Sequence, residues 1–240
     1  MKIKMLLSIA VSTIVGCIVC FTVFGQTAHA NPKTPAPGLT KQALKYAING
    51  YRWAIKHHEV TNRNVLTVVN FNEPSFKKRL FVINLKNDHV VMKMHVAQGK
   101  NTGAVYAKRF SNQPGSLESS PGIFTTANVY DGEHGESLRV DGLENGINNN
   151  AYERAVVIHP AWYVTPSFIK QNGYAGRSWG CFAVNPARAD KFIHAVKNGS
   201  VIFAYATPEK YDPRVDHRLS SKGEKLYRQI MHESNWHWFA

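Results

Sequence analysis

Gly176-Arg177-Ser178-Trp179-Gly180-Cys181-Phe182-Ala183-Val184 is the stretch on which the reading of this chain turns. Cys181 is one of three cysteines, and the other two, Cys17 and Cys20, lie in an N-terminal apolar run. Removal of that run leaves Cys181 as a lone thiol with no partner for an intramolecular disulfide. Gly176 and Gly180 permit a tight turn with backbone angles that other residues avoid. Gly180 also leaves no side chain beside the sulfur, so a substrate carbonyl can approach. The N–H groups of the turn built by Ser178, Trp179 and Gly180 can converge on an oxyanion. Free cysteine is among the most buried residue types, so an inert core cysteine is the plain alternative. A solitary thiol between glycines in an exported chain favours a nucleophile instead.

A thiolate nucleophile needs a base. His159 ends the apolar run Ala155-Val156-Val157-Ile158, which reads as a buried strand, 22 residues before the cysteine. A histidine at a strand end can return to the cysteine in space, and Cys–His pairing lowers the thiol pKa and stabilises the thiolate.

Around these two residues the chain has the texture of short strands separated by turns. Val65–Val69, Arg79–Leu85, His89–Val96, Ile123–Ala127, Ser137–Val140 and Ser200–Tyr205 read as strands. In His89–Val96, the alternation of Val90, Met92, Met94 and Val96 with more polar neighbours predicts one core face. Residues 99–122 form a long polar loop rich in Gly, Ser and Asn, of the kind that often carries function. Asp131–Gly135 is a second loop, and its His134 is a candidate for touching substrate because loops carry binding residues. Asn145–Asn150 is an Asn-rich turn, and the aromatic segment Trp162–Tyr174 either covers a cleft or packs. Two helices flank this region. One begins at Thr40 as N-cap, with Leu44, Ala47, Ile48, Tyr51, Ala54 and Ile55 on one stripe. The other begins at Asn185-Pro186, with Ala189, Phe192, Ile193 and Val196 inward and Gly199 closing it. Lys56-His57-His58 reads as favourable charge at a helix C-terminus, since adjacent helical histidines diverge and make a poor metal site.

Composition narrows the partners. The 240 residues are 44% hydrophobic and 19% charged, as in an ordinary globular protein. The net charge is +13, and losing Lys2 and Lys4 with the first 30 residues leaves +11. Such a chain suits an anionic neighbour. With no zinc-finger or RNA-recognition signature, no nucleic acid is expected as a specific partner. No H-E-x-x-H motif is present, and neither a metal nor another cofactor is expected. Lys2 and Lys4, the apolar run Met5–Phe24 and Ala28-His29-Ala30 read as an export signal with a small-x-small cleavage site. If it is not cleaved, residues 5–24 are long enough to anchor the chain in a membrane. Either way the folded part is expected in the periplasm or cell envelope. Pro32, Pro35 and Pro37 make the next residues an extended linker. Beyond Thr207-Pro208, the tail is expected to hold a helix over Ser220–His232 and an aromatic end, Trp236, Trp238 and Phe239.

The order of His159, a spacer, then Ser178-Trp179-Gly180-Cys181 resembles the active-site signature of the L,D-transpeptidase (YkuD-like) family, and more closely its murein L,D-transpeptidase catalytic-domain-like branch. Matching pieces run from Leu66 to Tyr205: residues 70–75, Val96-Ala97-Gln98-Gly99, Phe110-Ser111-Asn112, Ser119-Ser120-Pro121-Gly122, Gly135–Leu143, Val157-Ile158-His159 and Gly176–Cys181. The resemblance implies a mainly β fold, a mixed β-sandwich with a few peripheral helices. It implies a cysteine acyltransferase acting on peptidoglycan stem peptides through a thioester. On the same scaffold, an L,D-carboxypeptidase or amidase-like hydrolase and a wall-binding module that has lost activity are the alternatives. The domains expected are a signal (1–30), a linker (31–39), an N-terminal helix segment (40–61), a catalytic domain (62–206) and a helical tail (207–240). The chain departs from the family pattern in places. Trp179 stands where His is common, Pro160 where Gly usually follows the base, and Phe182 where the branch commonly has Pro. Ala183 stands where many relatives carry an Arg thought to hold a substrate carboxylate. Arg177 and Arg139 are the candidates for that role, and Arg177 is equally suited to holding its own loop.

Overall fold

Strand pairing follows from the apolar alternation. A computed structural model describes residues 38–207 and 220–233. The residues read as the signal, most of the linker and the aromatic end Trp236, Trp238 and Phe239 lie outside them. In chain order the elements are α1 (Lys41–Lys56), β1 (Val65–Asn70), β2 (Leu80–Asn84), β3 (His89–Met94), β4 (Gln98–Gly99), β5 (Gly122–Gly132), β6 (Gly135–Gly142) and β7 (Val157–Pro160). A 3-10 turn (Trp162–Val164), α2 (Pro166–Asn172), β8 (Arg177–Ser178), β9 (Phe182–Val184), α3 (Pro186–Val196), β10 (Val201–Tyr205) and α4 (Ser221–Glu233) follow. Among the described residues no helix is long and apolar enough to cross a membrane.

Eight strands form one mixed sheet in the order β3-β2-β1-β10-β5-β6-β7-β9, the mainly β architecture expected from the sequence. β1 runs parallel to β10 and β7 parallel to β9, and the other neighbours are antiparallel. The sheet is curled, and its two edges meet: Val96, just beyond β3, bridges Val184 of β9, and Ala97 N–H donates to the Ala183 carbonyl at 2.9 Å. Beyond this closure, β4 pairs parallel with β8. Arg79 supports the seam. It is fully buried and donates to the Val96 carbonyl through Nε and Nη2 (3.2 and 2.9 Å) and to the Glu73 carbonyl through Nη1 (2.9 Å). Its guanidinium lies 5.1 Å from the Phe71 ring centroid, and burial pulls its pKa down to about 9.

Period-two alternation sends successive residues to opposite sides of the sheet. Val69, Leu80, Val82, Phe124, Leu138, Ile158 and Phe182 face one core, where Phe192 and Ile193 of α3 join them. Leu66, Val68, Phe81, Ile123, Val201 and Phe203 face the other, covered by Leu44, Ala47 and Ile48 of α1 and Ile230 of α4. Thr40 caps α1 through its side chain, as its position in the sequence predicts, and the helix fills Lys41–Lys56 of the 40–61 segment. Asn185 and Pro186 open α3 as expected. Val90 departs from the expected face. The register shifts between Val82 and Ile83, so that Val82 pairs with Met92 and Ile83 with Val90. The extra residue, Val91, is thrown to solvent, and Val90 joins the α1 side while Met92, Met94 and Val96 stay on the other.

For the site, the decisive pairing is β7 with β9. Ile158 lies beside Phe182 and His159 beside Ala183, which puts Cys181, one step back in register, next to Val157.

Candidate active site

The turn before β9 is built from its own side chains. Ser178 is buried; its Oγ donates to the Cys181 carbonyl at 2.8 Å and accepts from Gly180 N–H at 3.2 Å. Gly180 N–H is therefore engaged in holding the turn, and the N–H of Cys181 is left as the donor beside the sulfur. Gly180 has φ +126°, and a Cβ there would meet the Glu118 carbonyl at 2.9 Å and Arg154 Nη2 at 3.3 Å, so only glycine fits. Trp179 projects outward with 76% of its surface exposed.

The Cys181 thiol donates to the Ala155 carbonyl at 3.6 Å. Burial pushes its pKa up, while the Val157 backbone N–H and the Arg154 charge pull it down. His159 is buried, and its Nδ1–H donates to the carbonyl of Pro160 at 2.9 Å, which leaves Nε2 to accept a proton. The substitution of Pro for Gly after the base thus preserves the orienting carbonyl. Burial lowers the His159 pKa, the Pro160 bond opposes this, and the nearby His134 lowers it further. Burial therefore favours the neutral imidazole. No hydrogen bond joins it to Cys181 among the described residues, so the expected lowering of the thiol pKa by a Cys–His pair is not what this resting geometry has.

Both residues line one open cavity of about 370 Å³. Tyr130, Glu133 and His134 from the β5–β6 hairpin contribute to the lining, with the His134 ring 4.9 Å from that of His159. Val157 and His159 of β7 and Arg177, Ser178, Trp179 and Cys181 complete it with Ser137 and Tyr163. The structure thus brings Cys181, His159, Ser178, Trp179, Arg177 and His134 around one space. Arg139 is not part of the lining: its guanidinium lies 4.7 Å from the Tyr130 ring centroid and 5.3 Å from that of Tyr152. Arg177 is exposed, and its side chain makes no hydrogen bond or ion pair among the described residues. Ala183 is fully buried against Ala97, Ala161 and Val164, a position with no room for an arginine.

Two residues near the thiol were not singled out from the sequence. Tyr163 comes from the aromatic segment, and it lines the cavity and lies near enough to Cys181 for the thiol's charge to add to the burial that pushes its own pKa up to about 12. A Cβ on Gly176 would sit 2.5 Å from Tyr163 Cβ, so this glycine lets the tyrosine close in. Its neighbours in that segment both expose and pack: Trp162 is 70% exposed and meets Tyr163 and Phe168 edge-on. Arg154, five residues before His159, is the other. Its acceptors lie in the 111–120 loop, so no local spacing announces them.

The curled mixed sheet thus carries a cysteine before one strand and a histidine on its parallel neighbour, around one cavity. The chain belongs to the L,D-transpeptidase catalytic domain family, whose model matches residues 35–205, well over half of it. Similar solved structures include an L,D-transpeptidase from Mycobacterium smegmatis at 19% identity and TM-score 0.38, covering 60% of this chain and 59% of that one. The helical cell shape determining protein Pgp2 from Campylobacter jejuni is similar at 10% identity and TM-score 0.40, covering 78% and 61%. An L,D-transpeptidase from Xylanimonas cellulosilytica is similar at 14% identity and TM-score 0.35, covering 68% and 79%. The chain thus spans about six tenths of the first two. No curated protein sequence matches it.

Proposed function

We propose that this protein is an exported, cysteine-dependent peptidoglycan L,D-transpeptidase, with Cys181 as nucleophile and His159 as base. The observation that carries the reading is the cavity shared by a neutral, carbonyl-oriented imidazole and a thiol. As the thiol attacks the carbonyl of a stem-peptide bond between an L-configured diamino-acid centre and D-Ala, Nε2 of His159 takes the thiol proton. The tetrahedral oxyanion accepts from the N–H of Cys181. It collapses to a thioester as the D-Ala amine leaves with the proton returned by His159. An amine from a neighbouring stem then attacks the thioester, gives its proton to His159 and releases the thiolate, leaving a crosslink. Water in place of the amine trims the stem. The unpartnered Arg177 at the cavity wall supports its role as the carboxylate anchor that position 183 cannot hold, since its planar fork can bind a carboxylate through two hydrogen bonds. Export rests on Lys2, Lys4, the apolar run after them and Ala28-His29-Ala30.

Muropeptide analysis of sacculi treated with the purified protein tests the reading. New crosslinks made by wild type and absent with Cys181→Ala are expected. Release of D-Ala without crosslinks would replace transfer by hydrolysis, and identical muropeptides from both proteins would leave a wall-binding module. N-terminal sequencing of the protein recovered from the cell envelope tests export, with Asn31 expected as the first residue.

A further inference from the structure

We infer that Arg154 is a positioning residue of the site, a clamped cation that locks the turn before β7 against the 111–120 loop and holds positive charge beside the thiolate form of Cys181. The inference rests on the reading of Cys181 as the nucleophile.

The clamp is complete on one end of the guanidinium. Nη1 donates to the Ser111 carbonyl (2.7 Å) and to Ser120 Oγ (2.5 Å), and Nη2 donates to Ser116 Oγ (3.2 Å) and to the Glu118 carbonyl (2.6 Å). All four acceptors are neutral. The nearest carboxylate, Glu118, spends Oε1 on Arg109 Nε at 3.2 Å. Arg154 is thus held rigidly without having its charge cancelled by a carboxylate in contact, and a fixed, half-buried charge is screened less than an exposed one.

The same short turn serves the thiol twice. Ala155 takes the left-handed conformation, with φ 51°, and turns its carbonyl to the Cys181 Sγ. Arg154, its neighbour, reaches the point where a Gly180 Cβ would stand, 3.3 Å from Nη2. Nucleophile, preceding glycine and arginine are therefore fixed relative to one another by one turn and one loop.

The other groups around the thiol do not supply this charge. His159 on β7 and His134 on the β5–β6 hairpin are a close pair, and His159 is held neutral. Glu133 on the same hairpin is negative. Tyr163 on the 3-10 turn is held protonated, with its pKa at about 12. Arg177 on β8 is cationic but exposed, where solvent screens it. When the thiol proton leaves, the Ala155 carbonyl loses its donor, and the sulfur is left with the Val157 N–H and the Arg154 charge. Arg154 holds the 111–120 loop, while the Arg177 side chain bonds no loop carbonyl and is left for substrate.

The test is the pH profile of Cys181 alkylation by iodoacetamide in the absence of substrate, alongside melting temperature, for wild type, Arg154→Gln, Arg154→Met and Arg154→Lys. The neutral variants are expected to shift the alkylation midpoint up by about one pH unit, which is about tenfold less thiolate at pH 7. Arg154→Lys is expected to recover most of that shift while melting below wild type, because an ammonium keeps the charge and loses the fork. A midpoint unmoved in a folded neutral variant would overturn the electrostatic role. Should the neutral variants fail to fold, a folded Arg154→Lys whose midpoint lies a full pH unit above wild type would also overturn it, because a retained charge would then not act on the thiol. Wild type that alkylates normally but neither crosslinks nor trims sacculi would instead defeat the transpeptidase reading, and the Arg154 comparison would stand apart from it.

Discussion

The two sides of this molecule are held together by different forces. On the α1 side, Leu44, Ala47 and Ile48 meet Leu66, Val68 and Phe203, and stability comes from apolar area removed from water. At the rim of the candidate site, Arg154 ties the turn before β7 to the 111–120 loop, Ser119 and Thr102 tie that loop to residues 99–102, and Ser178 closes the turn before β9, all through hydrogen bonds to backbone groups. Apolar packing tolerates adjustment and sums over many contacts. A hydrogen-bonded rim sets positions to a fraction of an ångström and fails one bond at a time. The α1 side lies away from Cys181 and His159, whose strands pack through Ile158 and Phe182 into the other core.

Substitutions can break this separation or sharpen it. At the rim, His159→Ala should slow acylation by about 100-fold to 10,000-fold, the range of a positioned general base, with little change in melting temperature. Burst kinetics with a stem-peptide substrate measures it, and an unchanged burst would move the base elsewhere. On the other side, Leu44→Ala should cost about 2–5 kcal/mol of stability. Denaturant unfolding reads that loss, and the Cys181 alkylation midpoint should stay at the wild-type value. A shifted midpoint would show that the two sides are coupled through the sheet.

Arg177→Lys should raise KM several-fold and leave the melting temperature alone, since the side chain holds no partner among the described residues. A lowered melting temperature would return Arg177 to the loop-holding role. The smallest effect is expected from His134→Ala. His134 lowers the His159 pKa, so its removal should move the acid limb of kcat/KM to higher pH by a fraction of a unit. In wild type that limb should lie below the ordinary imidazole value of 6.5, because burial holds His159 neutral. The linked contribution of His159 to stability is present above 6.5 and is lost as pH falls through the lower folded-state pKa. A limb at or above 6.5 in wild type would contradict the burial argument.

Much of the fold was legible because its signals are local. Thr40 and Asn185-Pro186 mark helix starts through the chemistry of capping, and both helices begin there. The strands announced themselves by alternation, and the exception, Val90, lies next to a bulge at Val91 that appears only once β3 pairs with β2. That Cys181 and His159 share one cavity was anticipated too, from a cysteine beside glycine and a histidine ending an apolar run. Arg79 shows the limit. It heads a strand in the sequence and looks like an ordinary surface cation, but folding buries it completely against the Val96 and Glu73 carbonyls.

By itself, the sequence determined the residue types and the local conformations: which runs alternate, which turns need glycine, where a thiol stands alone. Only the tertiary structure decided that Arg154 is clamped and that the Arg177 side chain is exposed at the cavity. It also decided that Ala183 faces a packed cluster, that Tyr163 lines the cavity with Cys181, and that His159 bonds the Pro160 carbonyl rather than the thiol. The physical reason is the range of the interactions. Backbone preference and apolar periodicity act within a few residues and are written in order along the chain. The clamp on Arg154 joins residues 34 to 43 positions apart, and the seam joins Val96 to Val184. Burial, which sets the charge states of Cys181 and His159, exists only after the sheet has curled.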